Sequence, residues 1–134
     1  MDGLAWLQRF SRSRDRLKLD VQLATDEARQ QLERAGAEAA MYGPFDDGGY
    51  VIYFRSAQPT ASAVLEEFAH VLQDRKKHFS KLPLPEMVLR REIEAHECLD
   101  EHADTWSLPP SEREQTMGLL QQDRDNLDKL ASWG

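Results

Sequence analysis

One cysteine, Cys98, is all the thiol chemistry in this chain of 134 residues. No internal disulfide can form, so nothing ties folding to an oxidising compartment, and folding in the cytoplasm is the default. Long apolar runs are missing too. Nothing approaches the roughly 18–20 uninterrupted apolar residues of a membrane-spanning helix, and the N-terminus lacks the basic-then-apolar pattern of an export signal. Positive charge is in short supply, with 17 Lys and Arg against 24 Asp and Glu and a net charge of −7. That balance argues against a phosphate-backbone binder, so neither nucleic acid nor membrane is expected as a partner. Arg9 to Lys18 and Arg75-Lys76-Lys77 are local basic runs, and solvated helix faces account for both. There is no internal repeat, no low-complexity tract and no linker, and Gly48-Gly49 stands before a strand, where no phosphate-cradling loop can open a helix. The reading is one domain over 1–134, with residues 1–20 as a loosely docked N-terminal helix.

What is present is sharp punctuation. Leu4, Trp6, Leu7 and Phe10 form an apolar patch on a short helix. Thr25 or Asp26 caps a helix over 25–35, and Gly36 ends it because glycine accepts a left-handed backbone. Residues 37–42 and 50–55 read as an antiparallel hairpin across the turn residues Gly43-Pro44 and Asp46-Asp47-Gly48-Gly49. Its second strand, Tyr50-Val51-Ile52-Tyr53-Phe54, is apolar throughout, as a strand buried on both faces should be. Helices follow over 60–79, 86–106 and 111–131. The first ends before Pro83 and Pro85, the second before Pro109-Pro110. The last opens with the capping-box spacing Ser111-x-x-Glu114 and reaches toward Trp133. The fold class is α+β, a small antiparallel sheet with several helices and a helix-rich C-terminal half. Its expected core is Val51, Tyr53, Val64, Leu65, Phe68, Leu72, Ala95 and Leu99, and on the helix over 60–79 the polar residues Glu66, His70 and Gln73 point away from that core.

On that helix Glu66 and His70 stand four apart, so both can reach one ion, and Glu67, three before His70, can reach a neighbouring water. A zinc ion held this way lowers the pKa of its bound water to about 7, and a nearby glutamate takes the proton. The third ligand comes from the next helix. Glu94, at the margin of the apolar face, is the first candidate, because a partly buried acid needs a partner. Glu92 and His96 are alternates that spacing does not separate from it. A di-iron bundle would need a second Glu-x-x-His, but Ile93 and Leu99 stand three before His96 and His102. Cys98, His78 and His102 read as structural residues.

The strand at 50–55, the helix with Glu66-Glu67-Phe68-Ala69-His70 and the helix with Glu92-Ile93-Glu94-Ala95 together resemble the zincin-like metallopeptidase toxin domains of bacterial polymorphic toxin systems. The resemblance covers roughly Ala37 to Leu120. It implies a peptidase-like hydrolase dependent on Zn2+, with Glu67 as base, His70 as second ligand and Glu94 as third. It also implies a protein substrate or a cognate immunity partner, and an effector that stays cytoplasmic or is secreted without a cleavable signal. Glu66 stands where that family has its first histidine. The competing expectation is a non-enzymatic acidic interaction module of the immunity or adaptor kind, or a zincin fold retained for binding only.

Overall fold

Asp2 is the first residue whose side chain sets structure. Its carboxylate accepts from the amide of Ala5 at 2.8 Å and caps helix α1, Gly3–Arg9. The helix buries Trp6 and Leu7, and the Arg9 guanidinium lies 5.3 Å from the centre of the Trp6 ring. A second short helix, α2 (Ser11–Leu17), stops at Lys18, whose φ of 52° ends helical hydrogen bonding. The computed structural model describes residues 1–132 and divides the chain into two units, Met1–Glu67 and the residues from Phe68 onward.

In the first unit Lys18 leads directly into strand β1, Leu19–Leu23. Sequence reading assigned no strand there, although Leu19-Asp20-Val21-Gln22-Leu23 alternates apolar and polar with the period of two that marks a strand with one wet face. The basic run just before it masked the signal. Helix α3 (Asp26–Ala35) follows as expected, since the Thr25 hydroxyl accepts from Ala28 N at 3.0 Å and Gly36 takes φ 64°. Strands β2 (Ala39–Tyr42) and β3 (Tyr50–Phe54) form the predicted antiparallel pair, with Ala39 opposite Phe54 and Tyr42 opposite Val51. β1 adds in parallel on the far side of β3, giving the order β1-β3-β2 and a mixed sheet in place of a plain hairpin. All five residues of the central β3 are buried, as its unbroken apolar sequence requires. Ala28 and Leu32 of α3 pack on Val51 and Tyr53, with Ala37, Ala40 and Tyr42 around them.

Helix α4 (Ala61–Arg75) contains the boundary between the units. In the second unit it gives way after Arg75 to a chain of turns, in which Lys77 and Phe79 both adopt positive φ, so the helix ends four residues short of the expected 79. Helix α5 spans Leu84–Glu101 and helix α6 Pro110–Ser132, completing six helices among the described residues. α5 stops before the expected 106 because residues 102–107 turn, with Ser107 at φ 53°. α6 begins at Pro110, and the carbonyl of Pro109 accepts from both Glu112 and Arg113 at 3.0 Å, which places Ser111 inside the helix and not at its cap. Proline suits a first helical position, whose amide would go unused. The expected reach to Trp133 lies outside the described residues. α5 and α6 run antiparallel, with Asp100 paired to Arg113, Glu97 to Arg124 and His96 to Asp123.

The expected core residues Val51, Tyr53, Val64, Leu65, Phe68, Ala95 and Leu99 are each buried, but Leu72 is 46% exposed. The polar side of α4 is the surprise: Gln73 is 3% exposed and Glu67 7%. The expectation that Glu66, His70 and Gln73 face away from the packed side therefore fails for Gln73, and His70 keeps only 13% of its side chain accessible. Periodicity treats polar residues as solvent-facing, whereas here α5 supplies acceptors that make burial of Gln73 affordable.

Candidate functional site

The site is built around one glutamine. Gln73 Nε2 donates to the carbonyl of Arg91 at 2.8 Å and to Glu94 Oε1 at 3.0 Å, and both partners are pure acceptors. The amide orientation is thereby fixed, and Gln73 Oε1 is the atom left facing His70 Nδ1 at 2.9 Å. An amide oxygen only accepts, so Nδ1 of His70 carries a proton. The other ring nitrogen, Nε2, lies 3.1 Å from Glu92 Oε1. A neutral ring would set a lone pair against a carboxylate oxygen there, so that contact calls for a second proton or a shared cation.

His96 repeats the arrangement from α5. Its Nδ1 lies 3.0 Å from Asp123 Oδ2, which makes Nδ1 the donor, and its Nε2 points to the other oxygen of Glu92, Oε2, at 3.9 Å. Glu92 thus stands between two imidazoles, each held from behind by an acceptor. Holding a histidine through Nδ1 by a carboxylate is how metal-binding proteins fix the tautomer and present Nε2 as ligand. Two donors bound at about 2.1 Å to a tetrahedral ion are roughly 3.4 Å apart. The 3.1 Å between Glu92 and His70 and the 3.9 Å between Glu92 and His96 fall on either side of that spacing. What favours His96 as the ligand is that its atom converges with those of Glu92 and Glu66, while His70 stands 3.1 Å from the same Glu92 carboxylate. Glu66, one helical turn before His70 on α4, offers a third atom: those of Glu66, Glu92 and His96 lie within 4.8 Å of one another, a group able to hold a metal ion.

Comparison with protein-family models, curated proteins and solved structures gave no match. The chemistry must therefore be read from these residues alone.

Among the ligands expected from sequence, Glu66 belongs to the group, and so do both alternates, Glu92 and His96. Glu94 is engaged elsewhere, its Oε1 accepting from His78 Nδ1 at 2.9 Å as well as from Gln73. Burial works to raise the Glu94 pKa, but the hydrogen bonds from His78 and Gln73 outweigh it and hold the carboxyl below its ordinary value. Glu67, the expected base, is buried on α4 beside Glu66. Arg91 ties the turns after α4 to α5, donating to the carbonyl of His78 at 3.0 Å and to Ser80 Oγ at 3.1 Å, with Asp74 3.5 Å away. Burial, and then the charges of Glu101 and Glu94, push the Cys98 thiol up, which suits a packed cysteine and not a nucleophile.

Sequence reading missed Asp123 and the bridging role of Gln73. Asp123 left a trace, because it falls between Leu120 and Leu127 at the three- and four-residue spacing of an inward helix face. An acid on such a face needs a partner, and the partner is His96.

Proposed function

We propose that this protein is a zinc-dependent hydrolase in which Glu66, Glu92 and His96 hold the metal, His70 orients Glu92 and Glu67 takes the proton from the attacking water. The observation that carries the reading is the presentation of His96, whose Nδ1 is committed to Asp123 while Nε2 faces Glu92 at 3.9 Å. Bound zinc would supply Lewis acidity and an ionised water near neutral pH. Two carboxylates and one imidazole donate more negative charge than two imidazoles and one carboxylate, so the bound water would be less acidic and depend more on Glu67. By the resemblance of the strand-helix-helix order, the substrate class is protein and the setting a delivered bacterial effector with a cognate immunity partner.

Elemental analysis of protein purified without chelator or metal-affinity tag tests this directly. A zinc-to-protein ratio near one, lost in His96→Ala and kept in Glu67→Gln while peptide hydrolysis disappears, is the expected result. Absence of zinc from the wild-type chain under metal-replete expression would refute it.

One observation favours a second reading, an acidic interaction module without metal. If His70 and His96 are both protonated, their charges balance Glu92 and Asp123, and the network closes without an ion. In that case His96→Ala would change stability but no metal content.

A further inference from the structure

The first unit holds a feature unrelated to that centre. Asp20 and Gln22, alternate residues of β1, share one face of the strand, and with Glu27 of α3, Tyr53 of β3 and the loop residues Phe45 and Asp47 they line a cleft of about 310 Å³. That volume lies at the lower end of small-molecule sites. Its walls are partly aromatic, and Phe45 at the loop is 52% exposed, so its ring is open to a ligand.

Its electrostatics are one-sided. The lining carries three carboxylates and one ammonium, that of Lys18, which leaves two negative charges in excess. The donors that hold the carboxylates are neutral. Gln22 Nε2 lies 3.1 Å from both Asp20 Oδ2 and Glu27 Oε2, the Tyr53 hydroxyl donates to Glu27 Oε1 at 2.9 Å, and the amide of Gly49 donates to Asp47 Oδ1 at 2.8 Å. Lys18 Nζ donates to the carbonyl oxygen of Asp47 at 3.1 Å. The Thr25 hydroxyl donates to Gln22 Oε1 at 2.7 Å and so locks the amide that spaces Asp20 from Glu27. The acids are therefore fixed in position beside the aromatic residues that share the lining.

We propose that this cleft binds an organic cation, a guanidinium or primary ammonium group on an apolar stem, with the cation on Asp20 and Glu27 and the stem along Phe45 and Tyr53. Carboxylates held by neutral donors favour a cation over a neutral isostere, and a ring face near the cation adds attraction. A hydrated inorganic ion would leave the aromatic wall unused. The same chemistry occurs in a free amine and in a basic side chain of a peptide, and the test separates the two.

Agmatine, N-acetyl-arginine amide and the uncharged N-acetyl-citrulline amide would be titrated in turn into the whole chain, following the backbone amides of Gln22, Phe45 and Val51 by NMR. Saturable shifts with either arginine compound, at least about tenfold weaker with the citrulline compound, are the expected result. Binding of N-acetyl-arginine amide alone identifies a peptide side chain as the source, and binding of agmatine alone a free amine. Asp20→Asn, an exposed change that leaves the strand intact, should weaken binding several-fold, and Phe45→Ala should do so separately. Equal binding of the neutral and charged compounds, no saturable shift, or wild-type affinity in both variants would overturn the proposal.

Discussion

Gln73 links α4 to α5 in the second unit. Its side chain meets three partners, the Arg91 carbonyl, Glu94 and His70, at 2.8, 3.0 and 2.9 Å, and leucine at that position would abandon all three. Leaving buried polar groups unsatisfied costs about 1–3 kcal/mol, so Gln73→Leu should lower the unfolding free energy by that amount, seen as a lower urea midpoint with an unchanged slope. A loss under about 0.5 kcal/mol would mean that water replaces the amide at no cost. In the first unit Tyr53 gives a pH signature. Desolvation, aided by the hydrogen bond to Glu27, pushes its pKa from 10.0 up to about 12. A raised folded-state value means that stability is full below pH 10.0 and falls as pH rises toward about 12. Tyr53→Phe should be less stable at neutral pH and lose that part of the alkaline decline, measured by denaturation at pH 8 to 11.

At the scale of elements, sequence read well wherever backbone chemistry dictates the answer. Thr25 and Gly36 bracket α3 at its observed ends, and the unbroken apolar run of β3 matches its central place in the sheet. It read less well where tertiary partners decide. β1 has a clear alternation, but its place beside β3 depends on a parallel register, Leu19 with Tyr50 through Leu23 with Phe54, that no local signal encodes. α4 was assigned one buried face, yet acceptors on α5 bury Gln73 and leave Leu72 exposed. The two positions Phe68 and Leu72, one turn apart, check this orientation. Phe68, 5% exposed, should cost about 3–5 kcal/mol on truncation to alanine, and Leu72→Ala should stay within about 0.5 kcal/mol. Similar losses at both sites would show the helix turned the other way.

Over the whole molecule, the α+β class, the helix-rich C-terminal half and the helix pair that carries the candidate ligands were legible, because proline, glycine and cap residues partition the chain. No helix among the described residues is long and apolar enough to cross a membrane. The choice among Glu92, Glu94 and His96 was not legible, because three residues within five positions of one helix differ only in what faces them. Gln73 and His78 engage Glu94, whereas His70 and Asp123 turn Glu92 and His96 toward each other. The central claim is that His96 presents Nε2 as a ligand while Nδ1 stays protonated on Asp123. Nitrogen-15 NMR of the histidine rings during titration with zinc reads both atoms separately. The account predicts that one equivalent of zinc moves His96 Nε2 to a metal-bound shift while Nδ1 keeps its proton, and that Asp123→Asn weakens the site about 10–100-fold. Two rings that stay doubly protonated at neutral pH and do not respond to zinc would contradict it.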